Sequence, residues 1–281
     1  METVFARSRY ADELTFMYEA IRQAGQLLLG WKDTGTEIAF KADNSIVTAA
    51  DHACAAFLDD RILERFPGDA ILNEETWQKE GAHLHWREAH RCWILDPLDS
   101  TSSYIRDGQH YGIILALTVD GVPAAGMTYK PELGELYFAA RGEGAWRAFA
   151  GSDPAPVQVL PVKVSSDSRL NLILSHGRQS PELHAMLQRL GNPAWNRMNG
   201  SLKINEVARG EYTAFVSPKG NPMNLWDLAA TQLILEEAGG KLTDLSGKPL
   251  DYRAENPRVD GGVIASNGAT HGFIVARLGR D

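Results

Sequence analysis

The sequence predicts an α+β fold built around two packed β-sheets. Two observations predict it: strand signals follow one another between residues 112 and 140, and helical patterns flank that stretch on both sides. Strands and helices that occur in blocks are typical of α+β proteins. The strands form an antiparallel meander, and the glycine-rich strand–turn–helix of a nucleotide-cofactor oxidoreductase is missing from the sequence.

The N-terminal third is predicted to hold two helices and two short strands. Apolar residues three or four positions apart indicate a helix over residues 12–30, and Gly30 is its expected end. A second helix follows Thr48 and ends near the turn Phe66-Pro67-Gly68. Residues 70–72 and 92–95 are short apolar strands, and each leads into acidic residues.

The remaining elements divide the chain into two predicted halves. Strands over residues 112–119, 122–129 and 135–140 are separated by the turn signals Asp120-Gly121 and Pro131–Gly134. The stretch 151–156 is the expected linker between an N-terminal half, 1–150, and a C-terminal half, 157–281. The C-terminal half is predicted to contain strands over 170–174, 212–216 and 263–265, and helices over 201–208, 226–238 and 271–278.

Composition and charge argue against several classes of protein. With 44% apolar and 23% charged residues, the chain has the composition of an ordinary globular protein. Its net charge of −8, without a long basic run, argues against nucleic-acid polymers and anionic membranes as partners. The sequence contains no membrane-length apolar window and no signal-peptide core, so a cytoplasmic protein is expected. The two cysteines, Cys54 and Cys92, are expected to be buried free thiols.

Acidic residues stand where predicted secondary-structure elements begin or end. These positions are Asp51, the pair Glu74-Glu75, Asp96, Asp99 and Asp227. Each of them alone fits a structural role, because carboxylates cap helices and favour their first turns. The segment from Asp96 to residue 101 indicates a site for a phosphate and a metal ion. Two carboxylates and a carbonyl can face one cation there, beside N–H groups that face an oxyanion. Hard oxygen ligands without neighbouring His or Cys favour Mg²⁺ or Mn²⁺.

Four segments resemble the motifs of the inositol monophosphatase family. Asp96-Pro-Leu-Asp99-Ser-Thr101 resembles DPxDGT, and Trp226–Gly240 resembles WDxAAxxxIxxEAGG. Lys41–Asp51 resembles KxDxSxVTxAD, and Asn73–Glu75 resembles the GEE turn. The four occur in the family's order and the tail Val263–Gly268 also fits, so the resemblance covers most of the chain.

The resemblance implies a layered αβαβα fold and a Mg²⁺-dependent phosphatase that is often inhibited by Li⁺ and commonly forms a homodimer. It implies two or three Mg²⁺ ions per subunit, with Mn²⁺ able to substitute. Transferred position by position, Glu74, Asp96 and the carbonyl of Leu98 would hold the first ion. Asp96, Asp99 and Asp227 would hold the second, and Glu74 would help to hold a weaker third.

The same transfer assigns the catalytic and substrate-binding positions. Asp51 and Thr101 would hold and deprotonate the attacking water, with Glu74 as the third catalytic residue, and the N–H groups of Ser100 and Thr101 would bind phosphate. Two metal ions can steady both the attacking and the leaving oxygen, so the reaction needs no covalent intermediate. The residues expected to contact the substrate, a small phosphate ester, are Asp99, Ser100, Thr101, Lys203 and Asp227.

Ser100 departs from the family pattern, which has glycine at this position. Glycine often marks a positive φ or a close backbone approach, so Ser100 can crowd the phosphate or shift its own N–H group. In the alternative interpretation its backbone angles suit any residue and its hydroxyl adds a donor. We favour the alternative because every expected metal ligand is present. A non-catalytic family member is the competing interpretation, and Ser100 is the feature that favours it.

The sequence leaves the substrate open among several phosphate esters. An inositol monophosphate-type metabolite and 3′-phosphoadenosine 5′-phosphate are near-equal expectations, and histidinol phosphate and fructose bisphosphate rank lower. Gly200–Lys203 resembles the GSSLK segment of 3′(2′),5′-bisphosphate nucleotidases, and Tyr104–Gly108 resembles the segment that follows DPxDGT there. Lys203, Arg106 or Lys219 would offset the extra charge of a bisphosphate, although Lys203 equally fits a helix-surface lysine.

Overall fold

The computed structural model describes residues 1–32, 38–40, 46–77, 86–106, 108, 110–149, 158–175 and 181–279. Residues 41–45 of the first family-like segment and the expected linker 151–156 lie outside these ranges. The helices in the described residues are α1 (Glu2–Phe5), α2 (Ala11–Lys32), α3 (Ala49–Arg65), α4 (Thr101–Arg106), α5 (Pro181–Arg189), α6 (Lys203–Ala208), α7 (Leu225–Glu237) and α8 (His271–Leu278).

The strands fall into two large sheets and two small pairs. They are β1 (Ile38–Phe40), β2 (Ile46–Thr48), β3 (Ala70–Asn73), β4 (Arg91–Asp99), β5 (Gly112–Val119), β6 (Val122–Lys130), β7 (Glu135–Ala140), β8 (Ala145–Phe149), β9 (Gln158–Val162), β10 (Asn171–Ser175), β11 (Ala194–Met198), β12 (Ala214–Ser217), β13 (Met223–Asn224), β14 (Lys241–Asp244), β15 (Arg258–Val259) and β16 (Val263–Ser266).

The first large sheet contains seven strands in the order β3-β4-β5-β6-β7-β8-β9. It includes the predicted meander, and its strands pair antiparallel except for β3, which runs parallel to β4. The strand β9 follows the expected linker and still pairs with β8, so the chain leaves this sheet after Val162. The division into halves at 1–150 and 157–281 stays a prediction.

The second large sheet has the order β11-β10-β12-β16-β14 and lies between two helix layers. Helices α2 and α3 pack on the outer face of the first sheet, α6 and α7 lie between the two sheets, and α5 and α8 cover the second sheet. These five layers confirm the αβαβα architecture. Amphipathic α2 buries Leu14, Met17, Ile21, Ala24 and Leu28, the stripe that the sequence predicts.

Helix α7 lies in the middle layer and is buried over most of its surface. It can approach the first sheet closely because Gly126 of β6 lacks a side chain: a Cβ there would lie 3.0 Å from the Cα of Ala230. A helix that is apolar all round belongs in the interior of a protein. This packing fixes the position of the first turn of α7, where Asp227 is located.

Two predicted helix ends differ from the structure. Helix α2 continues past Gly30 to Lys32, whose ammonium pairs with Glu132 and so holds the last turn in place. Helix α6 begins at Lys203 and not at Ser201, whose N–H group donates to the Asp99 carboxylate. Cys54 and Cys92 are buried free thiols, as predicted.

Candidate active site

A bulge at the end of β4 brings Asp96 and Asp99 to the same side of the first sheet. Side chains three positions apart on a regular strand point to opposite faces. In the pairing with β5, however, Asp96 lies opposite Ile114 and Asp99 opposite Gly112, so β4 contains one extra residue between them. An extra residue bends the strand and redirects its side chains. Both carboxylates are therefore buried and close to each other.

Glu74 reaches the same place from the neighbouring strand. It follows β3, which runs parallel to β4, and its N–H donates to the carbonyl of Leu95 at 3.3 Å. The turn is held by Asn73, whose amide donates to Asp59 at 2.8 Å and whose side-chain oxygen accepts the N–H of Glu75 at 3.0 Å. The predicted adjacency of Glu74 and Asp96 thus arises from parallel strands that end at one edge of the sheet.

Asp227 comes from the first turn of α7. Asn224 precedes the helix as its N-cap, and its N–H donates to the Asp227 carboxylate at 2.7 Å in a capping box. Asp227 lies in the first turn of α7, as the sequence predicts, and in addition it takes part in a capping box. It leaves the second carboxylate oxygen available, because only Oδ2 accepts that hydrogen bond.

Asp96, Asp99 and Asp227 form an acidic cluster whose nearest ligand oxygens all lie within 4.8 Å of one another. Burial raises the pKa of Asp96, and the charges of Glu74, Asp99 and Asp227 raise it further. Burial, followed by the charges of Asp99 and Glu74, raises the pKa of Asp227 to about 8. Like charges held together out of water favour protonation. The cluster has the electrostatic character of a cation-binding site.

Lys203 is the positive residue beside this cluster. Its side chain is buried, with only 3% of the residue exposed, which excludes the helix-surface alternative. The ammonium donates to the carbonyl of Gly200 and lies 4.8 Å from the centre of the Phe215 ring. Burial lowers the pKa of Lys203 to about 8, and the charges of Asp99 and Asp227 oppose that shift. Lys203 thus offsets part of the negative charge of the cluster.

Buried Asp51 and half-buried Thr101 form a second hydrogen-bonded unit next to the cluster. Thr101 Oγ1 donates to Asp51 Oδ1 at 2.9 Å, and the Leu98 carbonyl lies 3.3 Å from the same hydroxyl. Asp51 Oδ2 accepts the N–H and the hydroxyl of Thr48 at 2.8 and 2.6 Å, as the capping box over Thr48 and Asp51 predicts. The carboxylate of Asp51 is therefore fixed in orientation, and one of its oxygens faces Thr101.

The sequence as a whole matches one known family. The profile of the inositol monophosphatase family covers residues 10–279. The chain belongs to this family. None of the described helices combines the length with the apolar composition that a membrane-spanning helix requires.

Individual members of the family show how far the similarity extends. The 3′(2′),5′-bisphosphate nucleotidase CysQ of Escherichia coli is 34% identical over 235 residues, which cover 82% of this chain and 90% of CysQ. A histidinol-phosphatase of Mycobacterium tuberculosis is 31% identical over 240 residues, or 85% of this chain and 86% of that protein. Both are phosphatases, and this inositol monophosphatase family member is likewise a phosphoric monoester hydrolase.

Solved structures agree with this assignment. The inositol monophosphatase of Anabaena has a TM-score of 0.72 and 27% identity, and the alignment covers 96% of this chain and 95% of that one. A 2′AMP-bound IMPase-II of Staphylococcus aureus has a TM-score of 0.76 and 25% identity, with coverage of 95% and 93%. The family is generally metal-dependent, and the acidic cluster of this chain can bind a metal ion.

The structure corrects the interpretation of Ser100. Its φ is +70°, in the left-handed region, so its backbone angles do not suit every residue. A left-handed conformation costs an ordinary residue roughly 1–2 kcal/mol. The family glycine that this serine replaces would adopt the same angles without that cost. The Ser100 hydroxyl is a donor, but it donates to Ser103 Oγ at 3.1 Å within the protein.

Sequence reasoning missed the loop that holds Asp99. Both Asp99 carboxylate oxygens lie 2.8 Å from the N–H of Ser201, and the N–H of Leu202 lies 3.4 Å from one of them. Gly200 has a φ of +70°, and a Cβ there would collide with the Asp99 carboxylate. In the sequence, Gly200–Lys203 is marked only by its resemblance to the GSSLK segment. Its contact with Asp99 spans about a hundred residues, and no local pattern signals it.

The two other cations proposed for substrate charge, Arg106 and Lys219, are both exposed. Arg106 ends α4, five residues after Thr101. Lys219 lines a separate cavity of about 550 Å³ beside α5 and α8, whose lining includes no member of the acidic cluster. Of these cations, Lys203 is the one whose pKa responds to the charges of Asp99 and Asp227, whereas Lys219 lines a different cavity.

Proposed function

We propose that this family member is a Mg²⁺-dependent phosphomonoesterase that hydrolyses its substrate with water and without a covalent intermediate. The observation that carries the proposal is the acidic cluster of Asp96, Asp99 and Asp227, with ligand oxygens within 4.8 Å. Its donors are hard oxygens, and a divalent cation among them would offset the burial and mutual repulsion that raise the pKa values of Asp96 and Asp227.

The expected ligand sets are those that the family resemblance implies, and the observed cluster contains three of their members, Asp96, Asp99 and Asp227. Glu74, Asp96 and the Leu98 carbonyl would hold one Mg²⁺, Asp96, Asp99 and Asp227 would hold a second, and Glu74 would contribute to a third. Asp96 is thus shared between two ions. When bound, such ions supply Lewis-acid polarisation of phosphate oxygens and acidify water.

Asp51 and Thr101 are the proposed base and positioning hydroxyl. Because Thr101 donates its hydroxyl proton to Asp51, its oxygen lone pairs can accept a hydrogen bond from water. As the water oxygen bonds to phosphorus and the ester P–O bond breaks, the water proton passes towards the Asp51 carboxylate. The departing alkoxide takes up a proton from solvent water and leaves as an alcohol. Thr48 keeps Asp51 in the required orientation throughout.

For the substrate, we propose a 3′(2′),5′-bisphosphate nucleotide such as 3′-phosphoadenosine 5′-phosphate. Two features support this choice: the likeness of Gly200–Lys203 to the nucleotidase segment, and 34% identity to a nucleotidase over most of both chains. We propose that Lys203, whose pKa responds to the charges of Asp99 and Asp227, offsets the extra negative charge of the bisphosphate. Inositol monophosphate is the second candidate, because the structural neighbours include a Staphylococcus aureus IMPase-II with bound inositol monophosphate.

The test is phosphate release from purified protein with 3′-phosphoadenosine 5′-phosphate, inositol 1-phosphate and histidinol phosphate in parallel. Each substrate is assayed with Mg²⁺, with EDTA, and with Mg²⁺ plus Li⁺. Turnover that requires Mg²⁺ supports the chemistry, and the ratio of kcat/KM values identifies the substrate. Sensitivity to Li⁺ and a homodimeric state stay predictions from the family resemblance, and a cytoplasmic location stays a prediction from the sequence composition.

The matched variants are Asp96→Asn and Asp120→Asn. The first removes a charge shared by two ions, so we expect kcat/KM to fall at least a thousandfold. The second neutralises an exposed carboxylate that pairs with His90, outside the cluster, and is expected to leave turnover near wild type. If Asp96→Asn keeps a tenth of the wild-type kcat/KM, the shared-ligand role is wrong.

A further inference from the structure

Ser100 lies in the chain between the two parts of the site, the acidic cluster and the Asp51–Thr101 pair. Asp99 on one side belongs to the acidic cluster, and Thr101 on the other side donates to Asp51. The φ of +70° at Ser100 sets the direction of the chain between them. A change in this one dihedral would alter the orientation of Asp99 relative to Thr101.

A short hydrogen-bonded chain holds Ser100 in place. The Ser100 hydroxyl donates to Ser103 Oγ at 3.1 Å, and the Asn199 amide donates to the same Ser103 oxygen at 2.6 Å. Ser103 is fully buried, so water does not compete for these bonds. Asn199 immediately precedes Gly200 and Ser201, whose backbone contacts Asp99. The chain therefore joins the bulged end of β4 to the loop before α6.

We propose that Ser103 and Asn199 are positioning residues that hold Ser100 in its left-handed conformation and thereby fix Asp99 relative to Thr101. The inference rests on the proposed phosphomonoesterase function. Glycine at position 100 would adopt this conformation without help, whereas serine needs an external constraint. The position of Asp99 relative to Thr101 should therefore depend on Ser103 and Asn199 only when residue 100 is serine. That condition is testable by a double-mutant cycle.

The experiment compares Ser103→Ala and Asn199→Ala in the wild-type chain and in the S100G background. In the wild-type chain we expect each substitution to lower kcat/KM about tenfold, which is about 1.4 kcal/mol, and to raise the Mg²⁺ concentration for half-maximal activity severalfold. In the S100G background the same substitutions should change both quantities less than about twofold. Ser102→Ala removes an exposed hydroxyl from α4, the helix that also contains Ser103, and serves as the control in both backgrounds.

Equal losses in the two backgrounds would overturn the proposal, because a general packing role for Ser103 or Asn199 does not depend on residue 100. Urea unfolding in EDTA separates stability from positioning, and Asn199→Ala carries the test if Ser103→Ala fails to fold. Mg²⁺ binding by calorimetry supplies a readout that does not need turnover. Absence of turnover in the wild-type chain contradicts the proposed function but leaves the positioning role testable by Mg²⁺ affinity. If the effect of Ser103→Ala or Asn199→Ala on Mg²⁺ affinity depends on residue 100, the positioning role is supported. If the effect is the same in both backgrounds, the positioning role is wrong.

Discussion

Replacing Asp227 by asparagine should stabilise the metal-free protein while it weakens Mg²⁺ binding. The substitution removes one negative charge from the acidic cluster and keeps the size of the side chain. An asparagine oxygen can still accept the N–H of Asn224, so the capping box at the start of α7 is preserved. The change in the free energy of unfolding therefore reports the electrostatic cost of this carboxylate.

The magnitude follows from the raised pKa. In the native protein the pKa of Asp227 is about 8, whereas in the unfolded chain it is near 3.9. Between these values the native state binds more protons than the unfolded state, so the stability of the metal-free protein falls as pH rises through this window. Each pKa unit corresponds to about 1.4 kcal/mol, which amounts to about 4 kcal/mol at pH 7.

A direct Coulomb calculation gives a similar value. Two carboxylate charges within 4.8 Å of each other repel by at least about 3 kcal/mol at an effective dielectric constant near 20. Asp227→Asn should therefore raise the free energy of unfolding in EDTA by about 2–4 kcal/mol at pH 7. The gain should shrink to about 0.5 kcal/mol at pH 4, where the Asp227 carboxyl is protonated in the native state and about half protonated in the unfolded state.

The assay is urea unfolding at several pH values from 4 to 8, first in EDTA and then in saturating Mg²⁺. In Mg²⁺ the order should reverse, because the wild-type cluster gains more from the ion than the variant does. Asp60→Asn, an exposed position on α3, is the control and should change stability by less than about 0.5 kcal/mol. If Asp227→Asn is no more stable than wild type in EDTA at pH 7, the electrostatic reasoning is wrong.

Three further perturbations test other parts of the structure. Thr101→Val removes the hydroxyl that donates to Asp51, and we expect kcat to fall about a hundredfold with little change in KM; unchanged kcat would argue against a role in holding water. Gly200→Ala places a Cβ against the Asp99 carboxylate, so both the unfolding free energy and the Mg²⁺ affinity should decrease, as measured by urea unfolding and calorimetry. Burial lowers the pKa of His271 to about 4. Because the unfolded chain protonates near pH 6.5, stability should fall by up to about 3 kcal/mol as pH drops from 6.5 to 4, and His271→Gln should flatten that acid-side slope.

Local patterns were sufficient for elements that are stabilised by their neighbours in sequence. The capping box of Thr48 and Asp51 and the turn at Asp120-Gly121 are short-range interactions, and both occur as predicted. Helix α2 shows the predicted buried stripe because its apolar spacing leaves only one face to cover. Its end at Lys32 was mispredicted, since a contact with Glu132 about a hundred residues away decides it.

In the candidate site, too, local sequence predicted some features and long-range contacts decided the others. Sequence spacing placed Asp96 and Asp99 near an element boundary, but the bulge that puts both carboxylates on one face is a property of the pairing between β4 and β5. Lys203 was equally consistent with a surface lysine, because its burial depends on Phe215 and on the packing of α6 between the sheets. No residue next to Lys203 in sequence encodes that environment.

The sequence by itself determined the family, the fold class and the identities of the acidic residues, because motifs and amphipathic periodicities are local. Only the tertiary structure decided how these residues act together. It placed Asp227 beside Asp96 by packing α7 against Gly126, and it bound Asp99 to a loop a hundred residues away. It also held Ser100 in a left-handed conformation that serine disfavours, which requires contacts from Ser103 and Asn199. Local preference opposes that last feature, so only long-range contacts could establish it.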